Sequence, residues 1–208
     1  MKKKRSLSSK IWLYEHFKDP YVKKSHRNNL RSRAWFKLHS INIKYNLFKK
    51  GMNVIDLGSY PGSWSQYVIQ SIGDTGTVIS CDINVMDVIP GVHFIQGDVF
   101  SIKFMNNLMK IINDKNIDVV ISDMSPKITG ISCIDIPSSF LLFQSALKIA
   151  LKILSHNGDF LVKVFQGEGW EELLKILYKN FSVVKICKPH ASRSRSREVF
   201  VLAKYFKK

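Results

Sequence analysis

Lys163 stands in the middle of an apolar run, Phe160-Leu161-Val162-Lys163-Val164-Phe165. An ammonium group in a buried strand is expensive unless it is paired or loses its charge. Three other charged residues are placed to answer it. Asp123 follows the apolar run Val119-Val120-Ile121 in "SDMSP", Glu198 opens the apolar run of "REVFVL", and Lys37 flanks the apolar stripe Trp35, Leu38, Ile41 and Tyr45. Two lysines and two carboxylates converging on one pocket suit proton transfer. Burial and a neighbouring cation both favour a neutral amine, and a neutral lysine is a general base for a hydroxyl. Asp123 and Glu198 would hold the ammonium groups in place. A structural salt-bridge network is the alternative.

A second set of residues could hold a ligand. The stretch "DLGSYPGSW" places Gly58 and Gly62 between an apolar run and a following helix, so the backbone can approach a bound group and helix N–H groups face it. The spacing is not that of the dinucleotide-binding glycine motif. Asp82 and Asp98 each close an apolar run further along, as Asp123 does. An acid at the first of these points commonly accepts the hydroxyls of an adenosine ribose, and Asp98 is placed for an adenine amino group. S-adenosylmethionine, which has no pyrophosphate, fits the pattern better than a dinucleotide. Trp64 either packs beside that ligand or belongs to the core.

These residues need elements that bring strand ends together. Helical spacing covers 31–46. From "MNVIDLG" onward apolar strands alternate with helices: "SWSQYVIQSIG", "GTVISCDI", "VHFIQGDV", "KFMNNLMKII", "IDVVISDMSP", "DFLVKVF", "WEELLKILYKNF". The long helix 136–158 is expected to enter through Pro137 and stop at Gly158. Such alternation implies a largely parallel sheet covered by helices. "SVVKICKP" and "REVFVLAKYF" have only a basic loop between them, so they must pair antiparallel. The expected fold is α/β, seven strands, mostly parallel, with one reversed strand near the edge. Glu198, at the start of that strand, then lies at the edge where the parallel strands finish.

The net charge is +16 over 208 residues. It concentrates in "KKKR" at the start, "RNNLRSR", "KPHASRSRSR" and the final "KYFKK", which points to a polyanion, and to nucleic acid in particular. Lys2 to Arg5, Arg27, Arg31, Arg33, Lys188, Arg193 and Arg195 are the candidate phosphate contacts. Tyr14, Trp35 and Phe165 are candidates for stacking on a base, against the alternative of core packing. The basic N-terminus lacks an apolar segment behind it, so it does not read as a secretory signal. The apolar runs fall short of the roughly 20 residues of a membrane span. Three scattered cysteines suggest neither zinc nor a disulfide framework, and a reducing cytoplasm fits.

The motifs "LRSRAWFKL", "DLGSYPGSWSQYV", "SDMSP", "DIP", "LVKVFQGEG" and "SRSREVFV" resemble the FtsJ/RrmJ-like family of ribosomal RNA 2′-O-ribose methyltransferases, over nearly the whole chain. The resemblance implies a Rossmann-like methyltransferase domain over 31–208, preceded by a basic extension over 1–30. It implies a Lys37–Asp123–Lys163–Glu198 tetrad with Lys163 as proton acceptor. It further implies S-adenosyl-L-methionine contacts by Gly62, Trp64, Asp82, Asp98 and Asp123, and no metal. The implied substrate is the ribose 2′-oxygen of a uridine in the A loop of 23S ribosomal RNA, methylated in the assembled large subunit by a cytoplasmic monomer. One departure stands out: the family's Pro-Gly-Gly-Trp is here Pro61-Gly62-Ser63-Trp64, after a bulky Tyr60. A serine suits that place only if its φ is negative. Two rival activities fit less well. The Asn/Asp-Pro-Pro-Tyr pattern of nitrogen methyltransferases is replaced by Asp123-Met124-Ser125-Pro126, and no cysteine follows that strand directly as a carbon methyltransferase would use. A noncatalytic RNA-binding factor would not need the tetrad.

Overall fold

The computed structural model describes residues 14, 15, 17–193 and 196–208. Among them, helix α1 (Pro20–Arg27) is capped by Asp19, whose carboxylate accepts from the backbone N–H of Tyr21 at 2.9 Å. Helix α2 (Ala34–Tyr45) follows, and β1 (Asn53–Leu57) begins the alternating part. Then come α3 (Ser63–Ile72), β2 (Thr77–Asp82), β3 (Val92–Gln96), α4 (Ile102–Ile112) and β4 (Ile117–Ser122). The chain finishes with α5 (Ser132–Ile153), β5 (Leu154–Phe165), α6 (Trp170–Asn180), β6 (Phe181–Cys187) and β7 (Glu198–Phe206).

The seven strands form one sheet in the order β3-β2-β1-β4-β5-β7-β6. β7 pairs antiparallel with both β5 and β6; the other pairings are parallel. The expected Rossmann-like α/β architecture is therefore present, with β7 as the one reversed strand. Chain order switches direction at β1 and β4, which sends consecutive connections to opposite sides and opens a crevice above their carboxyl ends. Because side chains alternate along a strand, the sheet has two apolar faces. Ile55, Leu57, Val162 and Val164 meet Phe104, Leu108, Phe143 and Leu177 of α4, α5 and α6 on one face. Val54, Leu161, Phe200 and Leu202 meet Leu38 and Ile41 of α2 and Trp64, Val68 and Ile72 of α3 on the other.

Two boundaries differ from expectation. α5 starts at Ser132, so Pro137 lies inside its second turn rather than at its entry. The missing proline N–H removes one backbone bond there, where the helix is close enough to its start to tolerate it. α5 also ends at Ile153, and Leu154–Asn157 extend β5 downward instead. Leu154 pairs with Ile117 and is buried, and Asn157 takes a φ of 64° beside a shift in register. Burial of Leu154 in the sheet outweighs the helical preference of the segment. Among the described residues α5 is also the one helix long and apolar enough to cross a membrane, at 22 residues and a mean hydropathy of 1.3. Phe143, Ala146, Leu147, Ile149 and Ala150 on it are buried against the sheet.

Candidate active site

The opening paradox of Lys163 has a geometric answer. Its neighbour in register on β7 is Phe200, and its alternation with Leu161 turns it toward the α2 side of the sheet. It is 8% exposed. Its Nζ donates to the backbone carbonyl of Asp123 at 2.7 Å and lies 3.0 Å from Asp123 Oδ1. That carboxylate oxygen is buried, and the lysine sits at ion-pair distance from it without an aligned hydrogen bond. Parallel pairing of β4 with β5 brings the residue after Ser122 beside the strand that carries Lys163.

The second pair forms across β7 and α2. Phe165 and Glu198 are in register, so the first residue of β7 sits at the carboxyl edge of the sheet. Lys37 Nζ lies 2.6 Å from Glu198 Oε1, and Ser192 donates its hydroxyl to the same oxygen at 2.8 Å. Burial alone would raise the Glu198 carboxyl, but the Lys37 ammonium, the Ser192 hydroxyl and the charge of Lys163 together hold it below the usual range. Lys163 is thus within electrostatic reach of Glu198, and the four residues form one cluster.

Two cavities flank these residues, and Lys163 itself lines neither. One of about 790 Å³ is lined by Arg33, Lys37, Phe165, Arg193, Arg197 and Glu198, with Ser125, Ile128 and Ile136 on its far wall. The other, of about 380 Å³, contains Asp82, Asp98 and Asp123, with Ile83, Asn84, Phe100 and Met124. Ser125 lines both. Asp82 Oδ2 accepts from Tyr60 N at 2.9 Å and Oδ1 from Asn84 N at 2.8 Å; Asp98 Oδ1 accepts from Phe100 N at 3.0 Å. Asp82 Oδ1 also accepts from Asn84 Nδ2 at 3.1 Å, whereas Asp82 Oδ2 and Asp98 Oδ1 each keep a second lone-pair direction. Gly58, at φ 76°, also lines the smaller cavity, and a Cβ there would come within 2.4 Å of Met124. A side chain at this position would push Met124 from the cavity wall.

A family model of FtsJ-like methyltransferases matches residues 30–206. The chain belongs to the FtsJ-like methyltransferase family. A ribosomal RNA methyltransferase structure from Plasmodium falciparum is similar at 31% identity with a TM-score of 0.76, over 85% of this chain and 98% of that one. A structure described as an rRNA-methylase from Clostridium thermocellum shares the fold at 19% identity and a TM-score of 0.54, over 82% of this chain and 97% of that one.

FtsJ-like methyltransferases use S-adenosylmethionine, and the smaller cavity suits it. The ligand carries a cation, ribose hydroxyls and an adenine; the cavity offers three carboxylates, Asn84 and an apolar wall. Gly62 and Trp64 do not line it. Gly62, at φ 98°, caps α3 and packs on Arg31 and Ile89. The Trp64 indole is 2% exposed, donates to Ala34 O at 3.0 Å and faces the Phe200 ring at 5.6 Å. Ser63 is the first residue of α3, so the family's usual glycine needs no positive φ here; its hydroxyl pairs with Ser32 at 2.6 Å.

The expected phosphate contacts divide. Arg193 lines the larger cavity, and so does Arg197, the last residue of the same basic run, which was not among the expected contacts. Arg27 is exposed. Arg33 also lines the larger cavity, with its guanidinium paired to Asp19 and donating to the Ala191 carbonyl, while Arg31 turns to the protein and donates to three backbone carbonyls. Lys188 donates to Ser196 O at 2.7 Å. Lys2 to Arg5 and Arg195 lie outside the described residues. Of the candidate stacking rings, Phe165 lines the larger cavity, while Trp35 packs among His39 and Tyr67.

Two acids went unremarked in the sequence. Asp135, of "DIP", accepts from Thr129 N at 2.9 Å and Gly130 N at 3.0 Å, tying down a loop of the larger cavity. Those bonds lower its carboxyl. Asp56 is fully buried in β1; its Oδ2 accepts from Ser65 at 2.7 Å, its Oδ1 has no partner, and burial pushes its carboxyl up to about 7. The signal for Asp56 was present: a charged residue inside an apolar run, as at Lys163.

Proposed function

We propose that this chain methylates a ribose 2′-hydroxyl of RNA, specifically a uridine in the A loop of 23S ribosomal RNA within the large subunit. The observation that carries this reading is the position of Lys163. Its Nζ is held by Asp123, which lines the acidic cavity, and its charge acts on Glu198, which with Lys37 lines the basic one. The membership of an FtsJ-like family and the ribosomal RNA methyltransferase similarity support an RNA substrate. The sequence motifs resemble most the bacterial large-subunit enzyme of that family, and the same reading takes the chain as a cytoplasmic monomer.

When bound, S-adenosylmethionine supplies a methyl group made electrophilic by its sulfonium. Asp82 would accept the ribose hydroxyls, Asp98 the adenine amino group, and Asp123 would face the methionine end. Arg193 and Arg197 draw the RNA backbone into the larger cavity. Ile128, Ile136 and Phe165 give an unstacked base an apolar wall. Lys163 receives the proton that the 2′-oxygen gives up on becoming an ether. Asp123 fixes the Lys163 amine through its carbonyl, and Glu198 fixes Lys37 beside the same oxygen. The enzyme's main contribution is alignment of the hydroxyl with the methyl group. The chemistry selects RNA, because DNA has no 2′-hydroxyl.

The test is incorporation of label from S-adenosylmethionine into undermethylated large subunits, with the product mapped by resistance of the adjacent phosphodiester to alkali. Resistance at one uridine of the A loop is expected. Label on a base would overturn the ribose assignment, and ribose label elsewhere would overturn the A-loop assignment alone.

A further inference from the structure

Arg31 belongs to the basic run that sequence assigns to phosphates, yet its guanidinium points inward. Nη1 donates to Pro61 O at 2.9 Å and to Asp87 O at 2.8 Å, and Nη2 donates to Val88 O at 2.9 Å. Its own backbone is held as well: Arg31 N donates to Gln66 Oε1 at 3.1 Å, and Gln66 Nε2 donates to Asn29 O at 3.1 Å. The three carbonyls come from two loops. Pro61 belongs to the loop between β1 and α3 that carries Tyr60, and Asp87 and Val88 to the loop after β2 that carries Ile83 and Asn84. Tyr60, Ile83 and Asn84 all line the acidic cavity.

The same two loops touch at other points. A Cβ on Gly62 would lie 2.9 Å from both Arg31 Nη1 and Ile89, so the glycine leaves room for the guanidinium. The Ser59 hydroxyl reaches the buried Met86 sulfur at 3.7 Å. The near ends of the two loops are tied by Gly58 N and Ser59 N to Cys81 O and by Tyr60 N to Asp82 Oδ2, and the fork of Arg31 adds the tie farther out, from Pro61 to Asp87 and Val88. The three carbonyls are divided between Nη1 and Nη2, two donor nitrogens that a planar guanidinium holds side by side and a single ammonium lacks.

We infer that Arg31 is a positioning residue of the cofactor cavity, clamping the loop of Tyr60 to the loop of Ile83 and Asn84, and is not a phosphate contact. This rests on the assignment of the acidic cavity to S-adenosylmethionine. A lysine in its place would serve nearly as well for a phosphate, which accepts a point charge, and badly for the clamp.

The experiment compares Arg31→Lys and Arg31→Ala with the wild-type chain by calorimetric titration of S-adenosylhomocysteine, beside RNA binding over a range of salt. Both variants should weaken S-adenosylhomocysteine about tenfold or more and raise KM for the cofactor without raising KM for RNA. The salt slope of RNA binding should stay unchanged. Kd within twofold of wild type in the lysine variant, or a slope reduced by about one unit, would overturn the clamp. Absence of S-adenosylhomocysteine binding in the wild-type chain would overturn the cofactor assignment along with it, whereas binding untouched by the substitutions defeats the clamp alone. Should the variants not fold, arginine side-chain nitrogen resonances of the wild-type protein decide. The Arg31 signals should be slow to exchange, shift with S-adenosylhomocysteine and stay in place with RNA; fast exchange, or movement with RNA, defeats the proposal.

Discussion

The two cavities that meet at Ser125 are built from opposite charges and held by different means. The smaller one carries Asp82, Asp98 and Asp123 and no lysine or arginine. Its strand ends are fixed by backbone bonds, with Gly58 N and Ser59 N both donating to Cys81 O and Gly97 N to Asp82 O, at 2.8, 3.1 and 2.9 Å, and Arg31 adds one side-chain fork across its outer loops. The larger one carries Arg33, Lys37, Arg193 and Arg197 against Asp135 and Glu198, and its walls are fixed by side chains reaching across elements. A cationic ligand and a polyanion would each be drawn to the correct side by charge alone. Lys163 lines neither cavity, and Asp123, which holds its Nζ, lines the acidic one. Backbone-built walls suit a cofactor of constant shape; side-chain walls suit a large substrate that docks and leaves.

The sharpest way to break this division is at Lys163. Lys163→Ala should lower kcat about 10³-fold, in the range of a lost general base, while calorimetric Kd for S-adenosylhomocysteine stays within twofold. An equal loss in both would place the lysine in the cofactor cavity instead. Next in size, Asp82→Asn should raise that Kd about tenfold to a hundredfold, as the loss of a charged acceptor does, and leave RNA affinity untouched. Arg197→Ala should do the reverse: RNA affinity falls several-fold, the salt slope drops by about one unit, and S-adenosylhomocysteine binds as before.

A separate effect, on stability and not on binding, concerns the buried acid of β1. Asp56 has its carboxyl raised from an ordinary value near 3.8 to about 7, first by burial and further by the charges of Asp123 and Asp82. A raised folded-state value makes the protonated form the stabilising one. Its contribution is full at acid pH and is lost as pH climbs from about 4 through about 7. Asp56→Asn, which keeps an acceptor for Ser65, removes that loss. Denaturant unfolding should show the variant gaining on the wild type between pH 5 and pH 8 by about 2–3 kcal/mol. A difference independent of pH would mean that Asp56 is ionised throughout.

The tetrad was legible because each member breaks a local pattern. Lys163 interrupts an apolar strand, Asp123 and Glu198 mark strand ends, and Lys37 edges a helical stripe. Arg31 and Arg33 were not legible as internal donors. Apart from Asp19, which pairs with Arg33, their partners lie 30 to 57 and 158 positions away and are backbone carbonyls, which have no residue type to read. Trp64 was ambiguous for a related reason: an indole beside a glycine loop suits a ligand or a core equally, and only the approach of Phe200 from β7 placed it in the core. The start of α5 was misplaced because Pro137 was read as an entry, when Asp135 already closes a capped turn over Thr129 and Gly130.

By itself the order of residues determined the strand–helix alternation, the reversed last strand and the acids and lysine at strand ends, since side-chain periodicity and chain connectivity are local properties. The tertiary structure decided which charges face each other, which arginines turn inward and where the two cavities divide. Those outcomes depend on the lateral order of strands and the packing of loops from distant parts of the chain, and on which buried groups find partners there.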